Sequence, residues 1–176
     1  MATVPVPRTW TTGETVTATI MNATTGVKGA LDFMLSPPRT SVYQTATTTC
    51  TTSVATTILF DTETYDTDTM HSTSVNTGRI TATTTGLYHV VGQICMASNV
   101  TGTRSILIVK NGATTIASDR LHSVVATNAY LDAACDVQLT AGDYVELQMI
   151  QTSGGNLATV AGAGNTWFQA RWVANS

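Results

Sequence analysis

The hydrophobic rhythm of this chain changes once. Val16, Ile20, Ala23, Val27, Ala30 and Met34 recur at alternating steps of four and three, the spacing of a heptad seam along one helix face. Thr11 and Glu14 make a capping-box pair ahead of it, and Pro37-Pro38 forbids helix beyond Ser36. The spacing predicts a helix of about 20 residues. A lone helix of that length is marginal in water, and Gly26, Gly29 and several threonines weaken it further, so the stripe calls for a partner.

After the prolines the helical period is gone. Residues 39–54 are Thr-rich and almost free of charge, and they read as an extended connector, either a solvated linker or partly stranded. From residue 55 the chain becomes a series of short apolar or alternating runs, each closed by Gly, Asn or Asp, as in an all-β sandwich. Strands are expected at 55–61, 79–83, 86–97, 103–110, 114–122, 129–139, 143–151 and 166–173. Lys110-Asn111-Gly112-Ala113 places Asn-Gly between two of these runs, where a tight hairpin needs positive φ at both central positions. The pattern divides the chain into an N-terminal helical anchor segment (1–38), the connector (39–54) and a β head (55–176).

Composition reinforces the strand reading. Only 11% of the residues are charged, whereas Thr supplies roughly a fifth, and a β-branched side chain packs better on a pleated sheet than in a helix. A net charge of -3 with no basic cluster gives no electrostatic footprint for nucleic acid or anionic lipid. The start MATVPVPRTW has no secretory pattern and no apolar run is long enough to span a bilayer, so synthesis in a cytoplasm without membrane insertion is expected. Cys50, Cys95 and Cys135 are odd in number and far apart, which suits neither a disulfide framework nor a zinc site. Asn22-Ala-Thr24 and Asn99-Val-Thr101 match the glycosylation pattern but carry no weight without a secretory route.

A series of segments, in order, resembles the globular head of the first complement component's collagen-like subunit, a domain that shares its jelly roll with tumour necrosis factor. Ile58-Leu59-Phe60-Asp61 with Tyr65-Asp66 is similar to the family's first strand and loop, and Thr77-Gly78-Arg79-Ile80-Thr81-Ala82 to the strand that follows. Thr85-Gly86-Leu87-Tyr88-His89-Val90 resembles the Gly-x-Tyr-x-Phe segment, with Val90 in place of the usual aromatic. Lys110-Asn111-Gly112, then Leu139-Thr140-Ala141-Gly142-Asp143-Tyr144-Val145-Glu146-Leu147, continue the series, and Trp167-Phe168 occupies the aromatic position of the last strand. The resemblance implies an antiparallel ten-stranded jelly roll in two sheets, assembled as a homotrimer. The family's collagen stalk is missing, which leaves the N-terminal helix as a candidate stem. A second, shorter likeness links Pro7–Asn22 and Ala30–Leu35 to the opening of many bacteriophage minor structural and tail proteins.

Candidate chemistry is sparse. Asp61, Glu63, Asp66 and Asp68 supply oxygen ligands that would suit a structural Ca²⁺ ion, or they form a solvated acidic loop. They lack the glycine and terminal Glu of an EF-hand loop, although some members of the resembled family hold Ca²⁺ near the top of the trimer. His71, His89 and His122 have no motif-placed nucleophile, and no Gly-x-Ser-x-Gly or His-Glu-x-x-His pattern is present, so no catalytic residue is assigned. In the run 86–97 both faces are apolar, and the face of Leu87, His89, Val91 and Gln93 is expected to meet a neighbouring subunit, with His89 and Gln93 bonded near the three-fold axis. The alternative cover is an N-terminal segment of the same chain.

With the phage-like opening, the resemblances imply a non-enzymatic bacteriophage virion structural protein, a trimeric fibre or tail-surface component made in a host bacterial cytoplasm. Trp10, Val16, Ile20, Val27, Leu31 and Met34 are its expected contacts to other virion proteins. Loops carrying Asn99, Asn128, Asn156 and Asn165 are its expected contacts to a host-surface glycan or protein. The alternative with the same fold is a capsid decoration that clamps the head. A glycan-processing enzyme is the remote third reading, and it would need a carboxylate pair about 5 to 9 Å apart across a cleft. No cofactor is expected beyond the Ca²⁺ considered above.

Overall fold

A computed structural model describes residues 4–6, 8–23, 27–122 and 126–175. Two five-stranded antiparallel sheets face each other across one core. The first runs in the order β4 (Thr62–Asp66), β1 (Arg39–Tyr43), β12 (Trp167–Ala174), β6 (Gly86–Met96), β9 (Ala129–Leu139). The second runs β3 (Thr56–Thr57), β10 (Tyr144–Gln151), β7 (Thr103–Lys110), β8 (Thr114–His122), with β5 (Arg79–Thr81) also on β10. A small third ladder joins β2 (Thr49–Cys50) to β11 (Leu157–Ala158).

Alternation in the sequence explains which way each strand faces. In β6, Tyr88, Val90, Gly92 and Ile94 point into the sandwich while Leu87, His89, Val91 and Gln93 lie half-buried on the other face. Val145, Leu147 and Met149 of β10 and Ile106 and Ile108 of β7 oppose them from the second sheet. Gly92 leaves room for its neighbours in the core, since a Cβ there would lie 2.8 Å from both Leu147 Cδ1 of the facing sheet and Phe168 Cδ2 of its own. Phe60 stacks on Phe168 at 5.9 Å. Tyr88 is fully buried and donates its hydroxyl to Thr84 O at 2.6 Å, and burial pushes its pKa up to about 12. The expected Asn-Gly hairpin is present, with φ of 51° at Asn111 and 66° at Gly112 joining β7 to β8.

Three expectations are corrected. Of the two readings of the connector the stranded one holds, but the boundary moves: Arg39–Tyr43 is β1, paired on both sides, with Val42 opposite Phe168 and Ser41 opposite Tyr65. Its Thr40, Ser41 and Val42 are buried, so the β head begins at Arg39 rather than at residue 55. The acidic run is not a loop, because Thr62–Asp66 forms the edge strand β4. The single heptad helix is replaced by two, α1 (Ala18–Asn22) and α2 (Val27–Leu35). Thr17 caps α1 by accepting from Ile20 N at 3.2 Å, and Ala23 is extended with ψ 153°, which ends the helix in mid-seam. Gly26 lies outside the described residues. The Thr11–Glu14 pair does form, Thr11 N donating to Glu14 Oε2 at 3.3 Å, but it closes a turn ahead of α1 rather than starting a helix.

Helix α2 docks through a residue off the predicted seam. Phe33 meets Trp172 of β12 edge-on at 4.8 Å. Val27, Leu31 and Met34 stay exposed, as do Trp10 and Val16.

Candidate functional site

The register of the first sheet sets out the chemistry of its outer face. Tyr65, Ser41, Gln169, Val91 and Ala134 are successive partners across all five strands. One row over, Arg39, Arg171, His89 and Asp136 are partners in turn, and on the other side Tyr43, Trp167, Gln93 and Asp132. Tyr65, Val91 and Gln169 border a shallow depression of about 240 Å³ with His89 and Arg171. The middle row mixes apolar and uncharged polar side chains, and most of the charges lie in the row of Arg39, Arg171, His89 and Asp136. All four residues expected at a subunit interface are therefore brought onto one half-buried surface. Their hydrogen bonds, however, close within the chain: His89 Nδ1 pairs with Asp136 Oδ1 at 2.8 Å, and Gln93 Nε2 donates to Asn165 O at 2.9 Å.

The loop end of the sandwich lies opposite α2. Trp172, which holds Phe33, is the partner of Tyr88 near the start of β6, whereas Asn99 follows the end of that strand. At roughly 3.3 Å per residue the two ends are about 30 Å apart. The loops of Asn99, Asn128 and Asn156 gather at this far end, because β6 ends against the start of β9 and β10 ends against the start of β7. Asn165 is different. It accepts from Tyr130 Oη at 3.1 Å and donates to Ala161 O at 2.8 Å, which makes it a brace beside the outer face rather than a free loop tip.

Sequence reasoning missed Arg104, which is fully buried at the base of the Asn99 loop. Its guanidinium donates to Asn99 O, Thr101 O and Thr103 O at 2.9 to 3.0 Å, so one side chain fixes the loop's shape. Nε has no acceptor among the described residues, and burial lowers the pKa. An Arg in an alternating apolar strand carries no local signal of such burial.

The proposed Ca²⁺ set does not converge. Asp61 accepts from Thr45 N at 2.7 Å and Ala46 N at 2.8 Å; burial alone would raise its pKa, but these donors hold it below the usual range. Glu63 binds the buried ring of His71 at 2.9 Å, whose other nitrogen meets Thr77 O at 3.1 Å. Asp66 accepts from Met70 N at 3.0 Å and His71 N at 2.8 Å, and Asp68 takes the Thr83 hydroxyl. Each carboxylate braces a different piece of backbone, and among the described residues no group of three or more His, Cys, Asp or Glu could hold a metal ion. The cysteines are free, and burial raises the thiol pKa of all three, Cys50 to about 11.

Comparison with known structures agrees with this geometry. Murine APRIL at pH 8.5 superposes with a TM-score of 0.61 at 12% identity, over 77% of this chain and 98% of that one. The globular domain of zebrafish complement 1qA gives 0.53 at 16% identity, over 79% and 99%. Eiger TNF from S. frugiperda gives 0.56 at 15% identity, over 79% and 95%. No protein-family model and no curated protein sequence matches the chain. The fold is thus an all-β sandwich of the complement and tumour-necrosis-factor type, preceded by short N-terminal helices.

Proposed function

We infer that the chain is a non-enzymatic structural protein of a bacteriophage particle. It acts as a homotrimer in which residues before Arg39 attach to the virion and the far loops face the host surface. The observation that carries this reading is the outer face of the first sheet. A continuous, half-buried surface bearing Tyr43, Tyr65, Leu87, Val91 and Trp167 is the kind a second protein surface covers. Domains of this fold are typically trimeric, non-enzymatic binding domains, which supports a copy of the same chain as that cover. The 30 Å separation between α2 and the loops of Asn99, Asn128 and Asn156 suits an anchor at one end and display at the other. The phage context rests on the likeness of Pro7–Asn22 to phage structural proteins.

The test is immunogold labelling of intact particles together with light scattering of the purified chain. Label on the tail and a trimeric mass are the expected result, followed by adsorption of the purified trimer to host cells. Label over the capsid would make the protein a decoration instead. A monomer, or particles without label, would overturn the reading.

A further inference from the structure

On the second sheet, β3 and β5 both pair with β10 but at different points along it, and the gap between them is a groove of about 360 Å³. Thr57, Ser74, Asn76, Thr77, Arg79 and Glu146 line it, with the exposed side chain of Leu59 on one side. A second depression of about 210 Å³ adjoins it and shares Asn76 and Arg79.

We propose that this groove is a binding site for a carboxylate-bearing sugar, with Arg79 as the carboxylate anchor. Arg79 and Glu146 are directly opposed across β5 and β10, where opposite charges ordinarily pair. They do not pair here. The guanidinium lies over the Tyr144 ring, 4.8 Å from its centroid, and its donors have no hydrogen-bond or ion-pair partner among the described residues. The planar guanidinium is therefore presented with its N–H fork free, the arrangement that takes a carboxylate bidentately. Glu146 keeps acceptor capacity on the same groove, its Oε2 receiving only Gln148 Nε2 at 3.2 Å among the described contacts.

The remaining lining chooses the class of ligand. Three hydroxyls and an amide, with one aliphatic side chain, match the vicinal hydroxyls and the apolar ring edge of a pyranose better than an apolar peptide side chain. The rim is built before any ligand arrives. Ser72 Oγ accepts from Ser74 N and Val75 N, Asn76 sits at φ 54°, and buried His71 holds Thr77 O from beneath. A left-handed non-glycine residue on a braced loop is strain of the kind that accompanies binding sites. Gly78 lets the rim pass close against the neighbouring segment, because a Cβ there would come within 2.6 Å of Thr57 Cγ2.

The source of the ligand, a host-surface polysaccharide, rests on the attachment reading, but the site itself does not. The experiment is saturation-transfer NMR and titration calorimetry of the full chain with glucuronic acid, N-acetylneuraminic acid, glucose and inorganic phosphate. Binding of at least one acidic sugar in preference to glucose and phosphate is expected. Arg79→Gln, with unchanged circular dichroism, should weaken it by about 10- to 100-fold, the worth of one charge-assisted bidentate contact. Equal binding of glucose, stronger binding of phosphate, no binding of either acid, or an Arg79→Gln variant that binds normally would each overturn the site. Sugar binding that is lost in Arg79→Gln while adsorption to host cells survives would overturn the host-surface source of the ligand and leave the attachment reading in place. Sugar binding by a chain that labels no particle would overturn the attachment reading and leave the site in place.

Discussion

Thr159 Oγ1 donates to Gln44 Oε1 at 2.8 Å across 115 residues of sequence, and both residues are buried. Gln44 Nε2 also donates to Thr48 Oγ1 at 2.7 Å and to Leu59 O at 2.8 Å. One amide thereby fastens the segment after β1 to the Gly-rich segment before β12, which alone would be two floppy stretches. Replacing Gln44 by Leu keeps the volume but leaves the Leu59 carbonyl and the Thr159 hydroxyl short of partners in the interior. A loss of about 2 to 4 kcal/mol is expected in urea denaturation, against under about 1 kcal/mol if water reached the site.

Gly92 tests how tightly the sheets are apposed. Its missing side chain admits Leu147 and Phe168, both fully buried. Gly92→Ala requires those two side chains to move, and over-packing of this kind costs about 1 to 3 kcal/mol. The expected readout is a lower thermal midpoint with unchanged far-ultraviolet circular dichroism. A neutral substitution would mean that the sheets can separate at this point.

Much of the head was legible from the sequence because its strands are long and one-sided. The runs that became β6 to β10 were placed to within a residue or so of their observed ends, and the Asn111-Gly112 turn is dictated by backbone sterics. The failures share a cause. Val42 is the lone aliphatic residue of β1, and its partner Phe168 is distant in sequence, so nothing local marked the strand. In β4 the side chains alternate weakly because an edge strand leaves most of them exposed, and the carboxylates suggested a loop. The heptad seam was a true period, but Thr17 and Ala23 at the ends of α1 overrode it, and the residue that docks, Phe33, lies off the seam. Of the site residues, the face of Leu87, His89, Val91 and Gln93 followed from alternation. The Arg79 groove did not, since it depends on where β3 and β5 stop along β10.

Acid sensitivity should trace to Asp143. Its carboxylate accepts from Asn111 Nδ2 at 2.8 Å and Thr140 N at 2.9 Å and pairs with Lys110 at 2.9 Å, and these contacts, the Asn111 amide foremost, lower its pKa from 3.8 to about 2. A carboxyl depressed in the folded state stabilises above its unfolded pKa, and the contribution fades as pH falls from about 4 toward 2. Asp143→Asn should lower the stability at pH 7 by about 1 kcal/mol or less and flatten the decline between those pH values. An unaltered acid profile in differential scanning calorimetry would assign the decline to other carboxylates.

The outer face of the first sheet gives the sharpest test of assembly. Val91 lies at its centre, between Gln169 and Ala134, and is only half-buried in a single chain. A carboxylate there can be hydrated in a monomer, so Val91→Asp should fold. In a trimer closed over this face the same carboxylate would lose its water without gaining a partner, at a cost of several kcal/mol for each subunit. The expected outcome is a folded monomer in light scattering where the parent chain is a trimer. Asp132→Asn, at the rim of the same face, should leave the mass unchanged, because charges open to solvent contribute little to association. A Val91→Asp chain that remained trimeric would show that the subunits meet elsewhere, and a folded parent monomer would leave the face free for a different partner.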